Sequence, residues 1–269
     1  MPVRQRLLGT PCWIDLMSSD ASRAVDFYTG LFGWTAERSD DPQYGGYTVL
    51  SIKGGVVAGV GQAPPDVPFA NVWTVYLEVD DLDATAGAAT EAGGVVMMPA
   101  MQVGDQGSMA VVSDPSGAAI GLWLPDQHRG FGALGEMGTP MWFELMTRDY
   151  RAALQFYETV LRWQAASVGD TDEFRYSQLS LGGDAERGLS ERPSDAFAGA
   201  MDVAGFLPDG VRSYWQFYLG TDDVDASIDR AKELGGSVFE EPEDTPYGRL
   251  ATLADPLGAP FRVMTPPQT

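Results

Sequence analysis

Apolar and polar residues alternate along the first part of the chain and then give way to helical spacing. Residues 12–17 (CWIDLM) alternate between two sets of side chains, which is the period of a β-strand with two different faces. The polar segment 18–20 supplies N-cap side chains, and apolar residues at helical spacing then continue to Gly33. Residues 47–52 and 55–60 follow as two short apolar runs. The pattern predicts a strand, a helix that ends at Gly33, and further strands.

The same order of elements returns later in the chain. The second occurrence has a strand at 72–79, capping aspartates at 80–81, a helix that stops at 93–94, and further strands. These last strands are predicted near residues 95–98, 109–113 and 119–124. A fourth helix carries an apolar stripe at Val224, Ile228, Ala231 and Leu234.

Two internal repeats explain this recurrence. Residues 9–17 (GTPCWIDLM) recur as residues 138–146 (GTPMWFELM), an offset of 129 that also relates Trp34 to Trp163. Inside the halves, Trp73 matches Trp215 at an offset of 142. Repeats on this scale indicate a duplicated supersecondary unit, here in four modules. We expect a first domain at 1–126, a glycine-rich linker at 127–135 and a second domain at 136–269.

Strand parity predicts which side chains face away from the helices. A helix covers one face of its sheet, and the purely apolar set Met141, Phe143 and Leu145 should lie beneath it. The alternate residues then point the other way, and if two sheets curl together within a half they line a cavity. The residues with this parity are Trp13, Asp15, Thr74, Tyr76, Trp142, Glu144, Gln216 and Tyr218. Trp73 and Trp215 have the opposite parity and are predicted to pack in the core.

Three motifs carry a family resemblance: W-[ID/FE]-L-M on the first strands, A-x-x-F-Y-x-x-L-x-x-W on the helix, and D-P-x-G-A at 114–118 and 255–259. The chain resembles the glyoxalase, bleomycin-resistance and extradiol-dioxygenase group, the vicinal oxygen chelate superfamily. Its opening segment is similar to that of an actinobacterial two-domain subgroup labelled glyoxalase-like or "hydroxylase". The resemblance implies an α+β fold of four βαβββ modules that form two glyoxalase-like domains with curved mixed sheets.

The resemblance also implies where a metal would bind. Metal-dependent members place ligands on the first and last strands of their modules. The matching first-strand positions hold Trp13, Thr74, Trp142 and Gln216, and the last-strand positions hold Gly121 and Arg262. Of these side chains only Gln216 can donate a lone pair to such a metal. With His128 as the single histidine, we expect neither a metal nor another cofactor, although a carboxylate-only magnesium or manganese site stays open.

Composition and charge limit the kinds of molecule that the protein is expected to bind. The formal net charge of −21 disfavours nucleic acids and anionic membranes, although it is also explained by solubility alone. No apolar run is long enough to span a bilayer or to form the core of a signal peptide, and a single cysteine excludes an internal disulfide. We expect a cytoplasmic monomer or homodimer that binds a small aromatic ligand or substrate.

Each candidate residue has a functional and a structural interpretation. Trp13 and Trp142 either form a stacking surface for planar ligands or fill the mouth of the barrel. Asp15 and Glu144 either bind an amine, or act as a general acid or base, or make structural hydrogen bonds and ion pairs. Arg262 is the expected partner of Glu144, and Gly121 should leave Asp15 without an equivalent partner and leave space beside Trp13. Secondary pocket candidates are Tyr76, Trp123, Gln216 and Tyr218.

Four methionines form a further cluster, for which gap-filling in the core is favoured over contact with a ligand. They are Met97, Met98, Met101 and Met109.

The first hypothesis for function is a metal-independent protein that binds or helps to modify an aromatic metabolite, cationic or neutral, in natural-product biosynthesis or resistance. The second is a glyoxalase-type lyase that acts on an α-ketoaldehyde adduct. A structural or signalling protein is a third. The sequence does not decide whether a reaction is catalysed, and fold alone does not choose among these functions.

Overall fold

The computed structural model describes residues 7–65, 70–171, 173–181 and 196–267. It contains two eight-stranded mixed sheets and four α-helices. The first sheet comprises β1 (Pro11–Ser18), β2 (Thr35–Arg38), β3 (Thr48–Ile52), β4 (Gly55–Gln62), β5 (Val72–Glu78), β6 (Val95–Val103), β7 (Gly107–Ser113) and β8 (Ala119–Pro125). Its helices are α1 (Ala21–Phe32) and α2 (Leu82–Glu91). Its strand order is β2-β3-β4-β1-β5-β8-β7-β6.

The second sheet repeats this arrangement. It comprises β9 (Pro140–Thr147), β10 (Trp163–Asp170), β11 (Arg175–Leu181), β12 (Ala198–Asp202), β13 (Tyr214–Gly220), β14 (Ser237–Thr245), β15 (Gly248–Ala254) and β16 (Pro260–Thr265). Its helices are α3 (Tyr150–Leu161) and α4 (Val224–Glu233). The order β10-β11-β12-β9-β13-β16-β15-β14 matches the first sheet strand for strand, which confirms the predicted fold class.

Each helix begins where a capping aspartate was available. Asp20, Asp81, Asp149 and Asp223 each accept a hydrogen bond from the backbone N–H three residues later. Helix α1 ends at Gly33 as predicted, in the left-handed conformation that glycine adopts without strain. None of the helices in the described part of the chain is both long and apolar enough to cross a membrane.

The contacts group the chain into two compact units. Among the described residues, the first contains 7–12, 75–129, 143–171, 173–181 and 196–215, and the second contains 13–65, 70–74, 130–142 and 216–267. Each unit draws on both sequence halves. The extent of the two domains and of the linker stays a prediction.

The second unit is built around the Phe-Tyr motif of α1. The Tyr28 hydroxyl accepts a hydrogen bond from Trp73 Nε1 at 3.0 Å and lies beside the Asp255 carboxylate, which also accepts from the Ala259 backbone N–H. Burial raises the pKa of Asp255, and burial next to this charge raises the pKa of Tyr28 well above its usual value. The D-P-x-G-A turn is therefore a structural partner of the helix tyrosine.

The first unit repeats this arrangement with Tyr157 of α3. Its hydroxyl accepts from Trp215 Nε1 at 2.7 Å and lies beside Asp114, whose carboxylate accepts from the Ala118 backbone N–H. The contacts of Trp73 and Trp215 confirm that both indoles pack in the core.

Candidate functional site

The first candidate site lies in the second unit, on the β1 strand and its neighbour β4. These strands are parallel, and Asp15 lies opposite Gly59. The ring of Tyr47 covers Gly59 so closely that a Cβ atom there would lie 1.7 Å from the Tyr47 hydroxyl oxygen. Trp13 Nε1 donates a hydrogen bond to this oxygen at 3.0 Å. Glycine at position 59 thus gives Tyr47 the room to join Trp13.

The hydroxyl of Tyr47 links the indole to the carboxylate of Asp15. Burial, and then the negative charge of Asp15, raise the pKa of Tyr47 well above its usual value, so the phenol keeps its proton. Because the phenol oxygen accepts from Trp13, its own proton is directed to Asp15, which is buried with 9% of its surface exposed. Asp15 therefore has a neutral hydrogen-bond donor within its own module. The sequence analysis did not foresee this partner.

Phe131 packs against the indole of Trp13. The two ring centroids are 5.7 Å apart and the indole is only 4% exposed, which favours packing over an open stacking surface. The backbone N–H groups of Gly132 and Ala133 donate to the carbonyl oxygen of Val56 at 2.8 and 3.2 Å. Part of the segment expected to be a linker is thus bound to β4.

A tyrosine also covers a glycine in the third module. Tyr176 lies on Gly199, where a Cβ atom would be 1.9 Å from the tyrosine hydroxyl oxygen. Gly199 lies opposite the buried Glu144, as Gly59 lies opposite Asp15. Tyr47 and Tyr176 were not among the predicted site residues. Their signal was present in the sequence, since they obey the same offset of 129 as the first-strand repeats.

The fourth module carries a charged network on β13, β14, β15 and β16. Arg262 forms an ion pair with Glu240 at 2.6 Å and donates to the Tyr218 hydroxyl at 3.1 Å. Its guanidinium carbon lies 5.5 Å from the centroid of the Tyr218 ring, and Gln216 donates to the same hydroxyl at 3.3 Å. Thr252 donates to Glu240 at 2.5 Å. The structure thus brings Gln216, Tyr218 and Arg262 together, and the pairing of Arg262 with Glu144 stays a prediction.

The second module differs at the matching positions. The Tyr76 ring lies on Gly121, where a Cβ atom would be 2.2 Å from its Cδ1 atom. The expectation that Gly121 leaves open space is therefore wrong, because this ring fills it. Trp123 donates to the carbonyl oxygen of His128 at 3.0 Å, and burial lowers the pKa of His128 to about 4.

The remaining predicted residues, Thr74 and Trp142, are half-buried on β5 and β9. That the ten predicted residues line common cavities stays a prediction.

The side chains at the expected metal positions do not fit a metal. The indole of Trp13 donates to Tyr47, the guanidinium of Arg262 is cationic and engaged, and Gly121 has no side chain. Within residues 7–65, 70–171, 173–181 and 196–267, no three His, Cys, Asp or Glu side chains converge in a way that could hold a metal ion.

Comparison with known proteins agrees with this architecture. The family model described as "Glyoxalase/Bleomycin resistance protein/Dioxygenase superfamily" matches residues 12–122 and 140–263. The chain belongs to this superfamily. The two matched segments correspond to the two sheets, so each half is a member by itself.

Curated relatives span almost the whole chain. It is 40% identical over 262 residues to the "Putative glyoxylase CFP32" of Mycobacterium bovis, covering 96% of this chain and 95% of the relative. It is 39% identical over 269 residues to the "Anthracycline biosynthesis protein DnrV" of Streptomyces peucetius, covering 95% of this chain and 93% of the relative.

A solved structure supports the fold alone. The Mn(II)-bound glyoxalase of Novosphingobium aromaticivorans has a TM-score of 0.61 at 15% identity, covering 96% of this chain and 82% of the other.

Proposed function

We propose that this protein binds a planar aromatic metabolite bearing an amine, without a metal ion, in order to sequester it or to assist its modification. The observation that carries the proposal is the hydrogen-bonded series of Trp13, Tyr47 and Asp15, in which Trp13 stands at a position where the family resemblance implies a metal ligand. An indole offers no lone pair to a metal ion, whereas an indole, a phenol and a carboxylate can together contact an aromatic ring and an amine.

The chemistry of these groups favours an amine. Tyr47 keeps its proton, and a carboxylate beside a neutral phenol can bind an ammonium group by a charge-assisted hydrogen bond. The formal net charge of −21 attracts the same class of ligand at long range. Similarity to a protein named for anthracycline biosynthesis supports a planar aromatic ring system. The candidate contact residues stay the ten predicted ones, five in each half, with Tyr47 added, and we propose that the first half is the working site.

A second candidate is a lyase that acts on an α-ketoaldehyde adduct. Similarity to CFP32, which is named as a glyoxylase, favours it. The side chains of Trp13, Gly121 and Arg262 count against it, because they cannot hold the metal on which such chemistry depends in this family.

The proposal is tested by calorimetric titration with an amine-bearing anthracycline. We expect Asp15→Asn to weaken binding by at least about tenfold, roughly 1.4 kcal/mol, because the ammonium group loses its charged partner. Glu144→Gln is the matched control at the equivalent position of the second half. It should have a much smaller effect, because the proposed working site lies in the first half.

If the two variants lose affinity equally, or if Glu144→Gln loses more affinity than Asp15→Asn, the first half is not the working site. A wild-type protein that binds no anthracycline would overturn the proposed function itself.

A further inference from the structure

The methionines of β6 lie on the surface. Met97, Met98 and Met101 have exposed fractions of 47%, 40% and 49%, and Met109 on the neighbouring strand β7 is half-buried. The prediction that they fill gaps in the core is therefore wrong for the three residues of β6. A monomeric protein seldom exposes neighbouring large apolar side chains without a functional reason.

A bulge in β6 brings two of these methionines to one face of the sheet. On a regular strand, residues three apart point to opposite faces. Here Met98 lies opposite Val111 and Met101 lies opposite Met109, so β6 has two residues where β7 has one. One of the two is Pro99, a residue that sheets accept at a bulge. Because Val111 and Met109 share a face of β7, Met98 and Met101 share it too.

The three sulfur atoms on this face are within reach of one another. The Cβ atoms of directly opposite residues such as Met101 and Met109 lie about 5 Å apart. Met98 belongs to the next row, about 7 Å further along the strand. A methionine side chain is unbranched and rotates about three bonds, so its sulfur can bridge such gaps. We call Met98, Met101 and Met109 the thioether cluster, and all three belong to the first unit.

The fourth module has the same bulge with different side chains. Glu240 lies opposite Thr252 and Glu243 lies opposite Leu250, again with two residues of the edge strand facing one of its neighbour. Glu240 forms the ion pair with Arg262. The duplicated scaffold thus carries carboxylates on one edge strand and thioethers on the other, so the fold itself does not require sulfur at these positions.

We propose that the thioether cluster is a binding site for Cu(I), a function that goes beyond the proposed one and does not depend on it. Thioether sulfur is a soft, neutral donor that selects Cu(I), whereas Mg²⁺, Ca²⁺ and Mn²⁺ prefer carboxylate and carbonyl oxygens. The formal net charge of −21 attracts a cation to the protein at long range. None of the three methionines stands at a position where the family resemblance implies a metal ligand.

The test is a competition titration of Cu(I), kept reduced by ascorbate without oxygen, against the coloured Cu(I) chelator bicinchoninate. We expect the wild-type protein to retain one Cu(I) per chain. Met98→Leu, Met101→Leu and Met109→Leu keep an apolar side chain of similar size but remove the sulfur. Each should weaken Cu(I) binding by at least about tenfold, because the ion loses one of its soft ligands.

Three control variants separate the cluster from other sulfur and nitrogen ligands. Met264→Leu removes a half-buried thioether of the fourth module. Cys12→Ala and His128→Gln remove the only thiol and the only imidazole of the chain. All three should retain the wild-type affinity for Cu(I).

The affinity for Cu(I) should also be independent of pH. A thioether has no proton to release when it binds a metal, so the same titration should give a constant affinity between about pH 5 and pH 8. A thiolate or imidazole site would instead gain affinity as the pH rises.

A residue-level readout uses Ag(I), a soft ion that is not readily oxidised or reduced. In protein labelled with ¹³C at the methionine methyl groups, Ag(I) should shift the resonances of Met98, Met101 and Met109. The resonance of Met264 should stay unchanged.

A wild-type protein that loses its Cu(I) to the chelator, or three leucine variants with wild-type affinity, would overturn the copper site. Loss of binding in Cys12→Ala or His128→Gln would overturn it as well. None of these results bears on the proposed function, because the titrations contain no aromatic amine, and a failure to bind anthracycline would leave the copper site intact.

Discussion

Gly59→Ala is expected to destabilise the protein by about 3 kcal/mol, because the new Cβ atom would meet the Tyr47 hydroxyl at 1.7 Å. The ring of Tyr47 must then leave, which breaks its hydrogen bond from Trp13 and its contact with Asp15. Urea unfolding gives the free energy of unfolding. Gly199→Ala should lower the free energy of unfolding by a similar amount, because its new Cβ atom would lie 1.9 Å from the Tyr176 hydroxyl oxygen.

The cause of this loss can be isolated. In a Tyr47→Leu background the ring is absent, so Gly59→Ala should lower the free energy of unfolding by less than about 1 kcal/mol. Gly87→Ala, in helix α2 with open space around its Cβ position, should instead stabilise the protein by about 0.5–1 kcal/mol. If Gly59→Ala is tolerated with Tyr47 present, the close approach of Tyr47 to β4 is not a feature of the native protein.

Tyr28→Phe should lower the free energy of unfolding by about 2–3 kcal/mol at neutral pH. The variant leaves Trp73 Nε1 without its acceptor and removes a hydroxyl donor from beside the buried Asp255 carboxylate. Tyr157→Phe removes the equivalent hydroxyl beside Trp215 and Asp114 and should cost a similar amount. Exposed Tyr247, changed to Phe, is the control and should have no effect.

The deficit of Tyr28→Phe should depend on pH. Burial raises the folded-state pKa of Asp255, and the Tyr28 hydroxyl partly offsets this shift, so the variant should raise that pKa further. A raised pKa means that the folded state takes up a proton at higher pH than the unfolded state, so the penalty for a buried charge fades as pH falls. The difference from wild type should therefore narrow below neutral pH. A difference that stays constant from pH 7 down to the usual aspartate pKa of 3.8 would contradict the role given to the Asp255 charge.

Local patterns in the sequence predicted the helices, most of the strands and the burial of Trp73 and Trp215. The capping aspartates and Gly33 predicted where helices begin and end, because caps depend on neighbouring residues. Strand β6 continues to Val103, beyond the run predicted near 95–98. It carries two register irregularities that alternation alone does not reveal.

The site was predicted less completely because its geometry depends on contacts between distant residues. The parity argument selected Trp13 and Asp15 on β1, but Tyr47 reaches them only through the parallel register of β1 and β4. Phe131 lies in a glycine-rich segment that is typical of a linker, and only tertiary packing brings it to Trp13. Met98 resembles a core residue until the strand pairing puts it on an exposed edge.

The central claim is that side chains of the first half bind an organic ligand where family members bind a metal. It is tested most directly by calorimetric titration of chelator-treated protein with an amine-bearing anthracycline, before and after Mn²⁺, Ni²⁺ or Zn²⁺ is added. We predict saturable binding in the presence of chelator and the same affinity after each metal. Binding that is lost with chelator and restored by one tightly held metal per half would contradict the claim and favour the lyase.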